Sequence, residues 1–191
     1  MAVIDNKEVT RKRLLKKLLA LTYQEVKRRS KDVEKIISSL SIYKDAKTIM
    51  VYYPLKGEVD LLGMIEKVLG KKEVCFPVIN CKNTCLVPYS VGDLKDSFIR
   101  GPHGVMQPDI TKTKEVPIEN IDLVLVPGIA FDRNKYRLGR GGGFYDRLIK
   151  RLHSRTRTIG VAFNFQILQD LPVCIPQDEK VDYVVTETDS Y

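Results

Sequence analysis

Apolar positions in the first forty residues recur at helical spacing, first as Val9, Leu14, Leu18 and Leu21 and again as Val26, Val33, Ile37 and Leu40. Thr22 separates the two sets, and with Glu25 three positions on it forms a capping box, so the second helix is predicted to start at Tyr23. From Thr48 the pattern changes. Residues 48–53 form a short apolar run ended by Pro54, as a strand buried on both faces requires. A helix is predicted next, capped by Asp60, with Leu61, Leu62, Ile65, Val68 and Leu69 on its inner face and Gly70 at its end. Residues 73–79 then read as a second strand, and strand, helix, strand is a parallel crossover unit.

The same order returns downstream, with strands predicted at 121–126, 157–163 and 181–186 and a helix at 143–153. Between the two halves, residues 85–89 read as an edge strand and residues 102–108 as loop. The expected class is α/β, a mostly parallel sheet flanked by helices in a three-layer Rossmann-like arrangement. Ligands of such sheets bind beyond the carboxyl ends of the strands. A chain of 191 residues suits a single domain over 1–191, with 43% hydrophobic and 29% charged residues, a balance that excludes a disordered tail.

No apolar run reaches the ~18 residues of a membrane span, and the first five residues are too short for a signal peptide's apolar region. A cytoplasmic protein is expected, without a membrane partner. Cys75, Cys81, Cys85 and Cys174 are too few for a disulfide framework, so reduced thiols are expected. The loose pair Cys81 and Cys85, with only His103 and His153 to complete it, is a poor match to zinc-ligand spacing.

Charge adds a functional pointer. The net charge is +8, and it lies in two blocks: residues 1–47 carry thirteen cations against six acids, and residues 133–157 carry nine against one. Such blocks attract phosphates, whether of a nucleic acid or of a nucleotide. A solvated helix face is the plainer reading of the first block. Only Tyr23 and Tyr43 are aromatic there, too few stacking groups for a nucleic-acid surface.

The second block coincides with the richest motif, LVPGIAFDRNKYRLGRGGGFYDR at residues 125–147, which holds five of the twelve glycines. Glycines let a backbone approach a ligand and aim successive amides at it, and a helix start adds a positive dipole end. Arg137 and Arg140 beside those amides can fork onto phosphate oxygens. The stretch is neither a P-loop nor a GxGxxG fingerprint.

Within this motif RLGRGGGFYD, residues 137–146, resembles the nucleotide-binding signature of the 5-formyltetrahydrofolate cyclo-ligase family, also called methenyltetrahydrofolate synthetases. KEVTR with Lys7 and Arg11, YYPLKGEVD with Tyr53 and Glu58, and VDYV with Asp182 resemble further family segments in the same order. The resemblance implies conversion of 5-formyltetrahydrofolate to 5,10-methenyltetrahydrofolate with ATP and Mg2+, releasing ADP and phosphate. The formyl oxygen would be phosphorylated and N10 would attack. It assigns Lys7, Arg11, Arg137, Leu138, Gly139, Arg140, Gly141, Gly142, Gly143, Phe144 and Tyr145 to ATP, Tyr53 and Glu58 to the folate, Arg140 and Glu58 to catalysis, and Asp146 and Asp182 to magnesium. Gly142 stands where some members carry Lys. The expected partner is thus a small molecule and not a nucleic acid, and a monomer is expected. A basic nucleic-acid-binding module, or another phosphate-binding α/β enzyme, are the alternatives from the residues themselves.

Overall fold

Helices α1 (Lys7–Ala20) and α2 (Tyr23–Ser39) follow the hydrophobic spacing of the chain. The capping box between them is complete: Glu25 N–H donates to Thr22 Oγ1 at 3.2 Å, and Thr22 N–H donates to Glu25 Oε2 at 2.8 Å. Leu14 and Leu18 on α1, with Val33 and Ile37 on α2, are buried, each contributing about 1.5–3 kcal/mol. Val9 is not. It is 56% exposed and Thr10 takes the inward place, because four-residue steps back from Leu18 through Leu14 arrive at position 10. This computed structural model describes residues 7–82, 84–172 and 177–191; the first five residues and Cys174 fall outside that range.

A short α3 (Ser41–Asp45) leads into β1 (Thr48–Met50). The ladder stops at Met50 rather than at residue 53, although Val51 and Tyr52 stay buried, because the chain leaves its neighbours to turn over the end of the sheet. α4 (Leu62–Glu66) is capped at Leu61 and not at Asp60. The Asp60 carboxylate instead accepts from Leu62 N–H at 3.0 Å, a side-chain turn that competes with capping. Gly70 closes the turn beyond it at φ +78.

β2 (Glu73–Asn80) and β3 (Cys85–Ser90) pair antiparallel. β4 (Phe98–Arg100) and β5 (Met106–Pro108) form a hairpin where residues 102–108 read as loop. Proline and glycine between short strands hid it, and pairing supplied it. β6 (Lys114–Glu115) then pairs with β3, so β3 is interior rather than an edge. β7 (Leu123–Pro127), β8 (Ala130–Asp132) and β9 (Arg137–Leu138) precede α5 (Phe144–Ile149), β10 (Arg157–Val161), β11 (Ile167–Leu168) and β12 (Tyr183–Val185). α5 is shorter than the expected 143–153, since the chain leaves the helix after Lys150 and turns through His153 to Thr156 to enter β10.

The main sheet runs β12-β10-β7-β1-β2-β3-β6, parallel from β12 to β2. Met50 sits between Cys75 and Val124 in register. Successive strand residues face opposite sides. Ile49, Val74, Leu123, Leu125 and Ile159 pack with α1, α2 and α4, whereas Met50, Cys75, Val124 and Val126 pack with Leu148 of α5. Three layers result, and the buried middles of these strands are apolar on both faces, with polar residues such as Thr48, Glu73 and Arg157 at their ends. From central β1 the chain moves first toward β2 and later returns on the other side through β7, so the sheet has its switch point between β1 and β7. No helix among the described residues is long and apolar enough to cross a membrane.

Candidate active site

Beyond the carboxyl ends of β1, β2 and β7 lies a cavity of about 560 Å³, within the usual range for a small-molecule site of roughly 300–1,000 Å³. The β1 exit supplies Tyr52, Tyr53, Leu55 and Glu58; β2 supplies Pro77 and Ile79; the β7 exit supplies the turn from Pro127 to Ile129. The glycine segment 137–146 forms a further wall, and Lys7 and Arg11 of α1 reach it from the side. Every site residue expected from the sequence lines this one cavity except Asp182.

Glu58 is held on a loop that only glycine permits. Gly57 has φ +84, and a Cβ there would meet the Leu18 carbonyl oxygen at 2.4 Å. Glu58 Oε2 accepts from Leu55 N–H at 3.0 Å, while Oε1 accepts from Arg140 Nε at 3.2 Å and Nη2 at 2.9 Å. The carboxylate is shielded and the guanidinium is 41% exposed at the mouth. Tyr53 presents its ring edge-on to Phe98 of the β4–β5 hairpin at 5.0 Å, leaving a flat apolar wall.

Arg137 is the most deeply set cation, its side chain 4% exposed. Its Nη2 donates to Asp146 Oδ2 at 2.8 Å, its guanidinium covers the Tyr145 ring at 5.5 Å, and its Nε is buried without a partner among the described residues. A buried donor of that kind favours an incoming acceptor. Gly139 leaves room for this guanidinium, since a Cβ there would meet Arg137 Nη1 at 2.2 Å and force that side chain to shift. Leu138 is mainly core, with its carbonyl accepting from Ile129 N–H at 2.8 Å. Burial first, and then the Glu58 charge, push the Tyr145 phenol above its usual range, so it is a neutral donor at physiological pH. Gly141 and Gly143 have φ +107 and +65. Among the described residues, no protein group accepts from the backbone N–H groups of Arg140, Gly141, Gly142 or Gly143. At six residues α5 carries little macrodipole, so these amides and the guanidinia are the groups of the wall able to donate to an anion.

Lys7 and Arg11 both reach the site, already engaged with protein. Lys7 Nζ pairs with Asp178, and Arg11 Nε donates to the Gly139 carbonyl at 2.9 Å. Asp178 is a cavity residue that belongs to no sequence motif, since a lone acid in a loop offers no pattern. Asp146 also accepts from Glu179 N–H at 3.3 Å, which ties that loop to α5. Among the described residues the cavity therefore carries four cations, Lys7, Arg11, Arg137 and Arg140, against the three carboxylates Glu58, Asp146 and Asp178.

Asp182 is elsewhere. Its Oδ2 accepts from Thr158 N–H at 2.8 Å and from Thr158 Oγ1 at 2.9 Å. Thr158 is the second residue of β10 and Asp182 precedes β12, so this pair joins the amino ends of two parallel strands, at the far end of the sheet from the cavity. Its role here is to fasten β12. Among the described residues no group of three or more His, Cys, Asp or Glu is arranged to hold a metal ion. Cys75, Cys81 and Cys85 are free thiols, with burial raising that of Cys75.

Comparison with known proteins gives the same direction over the whole chain. The model of the 5-formyltetrahydrofolate cyclo-ligase family matches residues 3–187. A solved structure described as 5,10-methenyltetrahydrofolate synthetase from Aquifex aeolicus superposes with a TM-score of 0.84 at 36% identity, covering 96% of this chain and 91% of that one. A protein named 5-formyltetrahydrofolate cyclo-ligase from Escherichia coli is 30% identical over 137 residues, 67% of this chain and 71% of the relative. Its counterpart by name in Mus musculus is 27% identical over 98% of this chain and 96% of the relative.

Proposed function

The chain belongs to the 5-formyltetrahydrofolate cyclo-ligase family, and we propose that it closes 5-formyltetrahydrofolate to 5,10-methenyltetrahydrofolate at this cavity, using ATP and Mg2+ and releasing ADP and phosphate. The observation that carries the reading is that Lys7, Arg11, Tyr53, Glu58, Arg137 and Arg140, drawn from three distant parts of the chain, line a single cavity.

The chemistry demanded by this reaction suits that lining. A formamide oxygen is a poor leaving group, so it is phosphorylated before N10 attacks the formyl carbon and phosphate departs. Phosphoryl transfer depends on positioning and on neutralising equatorial oxygens rather than on a protein nucleophile. Arg140, at the mouth, and Arg137, whose buried Nε has no partner among the described residues, meet those oxygens together with the amides of residues 140–143. Lys7 and Arg11 contribute charge from the side. An arriving triphosphate takes Lys7, Arg11 and Arg140 from their present acceptors, Asp178, the Gly139 carbonyl and Glu58. Tyr53 packs on the pterin, and Glu58 accepts hydrogen bonds from its amino and ring nitrogens.

Magnesium commonly keeps most of its water and takes one or two protein carboxylates beside substrate phosphates. Asp146, a cavity carboxylate adjoining Arg137, fits that requirement, and Asp182 does not reach it. When bound, the ion would neutralise phosphate charge. Asp146 meanwhile holds Arg137 in line with the cavity.

The direct test follows methenyltetrahydrofolate formation by absorbance with the complete mixture, without ATP, and without Mg2+. Product is expected only from the complete mixture. Equal product without ATP would overturn the ligase reading.

A further inference from the structure

Arg147 lies outside the cavity lining but grips its glycine wall from behind. Its Nη2 donates to the Gly142 carbonyl at 2.6 Å, its Nε donates to the Thr84 carbonyl at 2.7 Å, and its guanidinium covers the Phe144 ring at 5.3 Å. One side chain thus joins the glycine segment to the β2–β3 turn. Thr84 is itself constrained: a β-branched residue, it has φ +48, a conformation such residues seldom adopt without a compensating contact. The fit at the other end is equally close, since a Cβ on Gly143 would meet Arg147 Nη1 at 2.6 Å.

A trans peptide is planar, so the N–H of residue 143 points opposite to the carbonyl of residue 142. Gly142 and Gly143 line the cavity, whereas Arg147 and Thr84 do not. Drawing the Gly142 carbonyl toward Arg147 therefore turns the Gly143 N–H toward the cavity. Glycine on both sides of the peptide would otherwise permit either orientation, and the opposite one would aim a carbonyl at an arriving anion. The guanidinium also polarises the peptide it binds, which strengthens the N–H as a donor.

We propose that Arg147 is a positioning residue for the phosphate-binding wall: by holding the Gly142 carbonyl outward against the β2–β3 turn, it keeps the Gly143 amide directed at the nucleotide phosphates. This rests on the reading of the cavity as an ATP site. It adds a residue that touches neither ATP nor folate, and a dependence of nucleotide affinity on the β2–β3 turn.

The experiment is calorimetric titration of Mg-ATP into the wild-type protein, Arg147→Ala and Arg147→Lys, with 5-formyltetrahydrofolate titrated separately in the absence of ATP. Arg147→Ala is expected to weaken ATP binding about tenfold, and Arg147→Lys, which offers one compact donor group in place of a fork, about threefold. Folate affinity is expected to hold within about twofold in both. If the alanine variant does not fold, the lysine variant decides alone. ATP binding equal to wild type in the folded variants overturns the inference while leaving the ATP reading intact. An equal loss of ATP and folate affinity marks a merely structural staple and also overturns it. Absence of ATP binding by the wild type overturns the ATP reading, and this inference with it.

Discussion

Arg140 donates through two nitrogens to one oxygen of Glu58, an ion pair that joins a proposed phosphate contact to a proposed pterin contact across the cavity mouth. A charge-assisted contact made to the phosphoryl group should act on the rate more than on folate binding. Arg140→Ala is expected to lower turnover at saturating ATP by roughly tenfold to a hundredfold, with a smaller change in folate affinity; an unchanged rate in the folded variant would remove this role. Tyr52 makes a different kind of residue-scale prediction. Its hydroxyl donates to the Val59 carbonyl at 2.7 Å in a buried position, and burial, reinforced by the Glu58 charge, pushes the phenol well above its usual range. Below about pH 10 the phenol is neutral in folded and unfolded chains alike and adds no pH dependence. Above it the unfolded chain ionises first, so stability should fall by about 1.4 kcal/mol per pH unit on this account. Urea unfolding on either side of about pH 10 should show a shallower fall in Tyr52→Phe than in wild type.

At the scale of elements, α1 is both a packed helix and part of the site. Leu14 and Leu18 anchor it to the core, while Lys7 and Arg11, one turn apart, reach Asp178 and the Gly139 carbonyl. A solvated charged face would tolerate their loss within about 0.5 kcal/mol. Here the double change Lys7→Ala with Arg11→Ala is expected to raise the apparent ATP constant by about tenfold or more, at low and moderate salt. It should also lower unfolding stability, because both side chains have protein partners. Thr22→Ala is the control: it removes the cap of α2, costs about 1 kcal/mol, and should leave the ATP constant unchanged. The capping box was legible because its two members are three residues apart. The inward turn of Thr10 was not, since which face of a helix is buried depends on what it packs against. α5 ended early for a similar reason: periodicity over residues 143–153 does not register the turn through His153 that β10 requires.

Across the whole molecule, the loop through Gly57 and Glu58 ties the outer helical layer to the cavity. Gly57, at φ +84, lies against the Leu18 carbonyl of α1 and precedes Glu58. Gly57→Ala is expected to cost about 1–3 kcal/mol in stability and to weaken folate binding by displacing Glu58, measurable by thermal unfolding and folate titration; unchanged affinity would mean that the loop does not position the carboxylate. By itself the sequence determined the α/β class, the parallel strands buried on both faces, the glycine-rich segment, and the family-like segments that carry Lys7, Arg11, Glu58, Arg140 and Asp146. Each of these is written in neighbouring residues, as a spacing, a cap or a motif. Only the tertiary structure decided the partners. Lys7 meets Asp178 across 171 positions and Arg140 meets Glu58 across 82, while Asp182, two residues before β12 gains its first inward residue, falls to the opposite end of the sheet. Strand order brings such groups together or holds them apart. That order is set by which apolar faces bury one another, a property of the assembled layers that no short stretch of the chain contains.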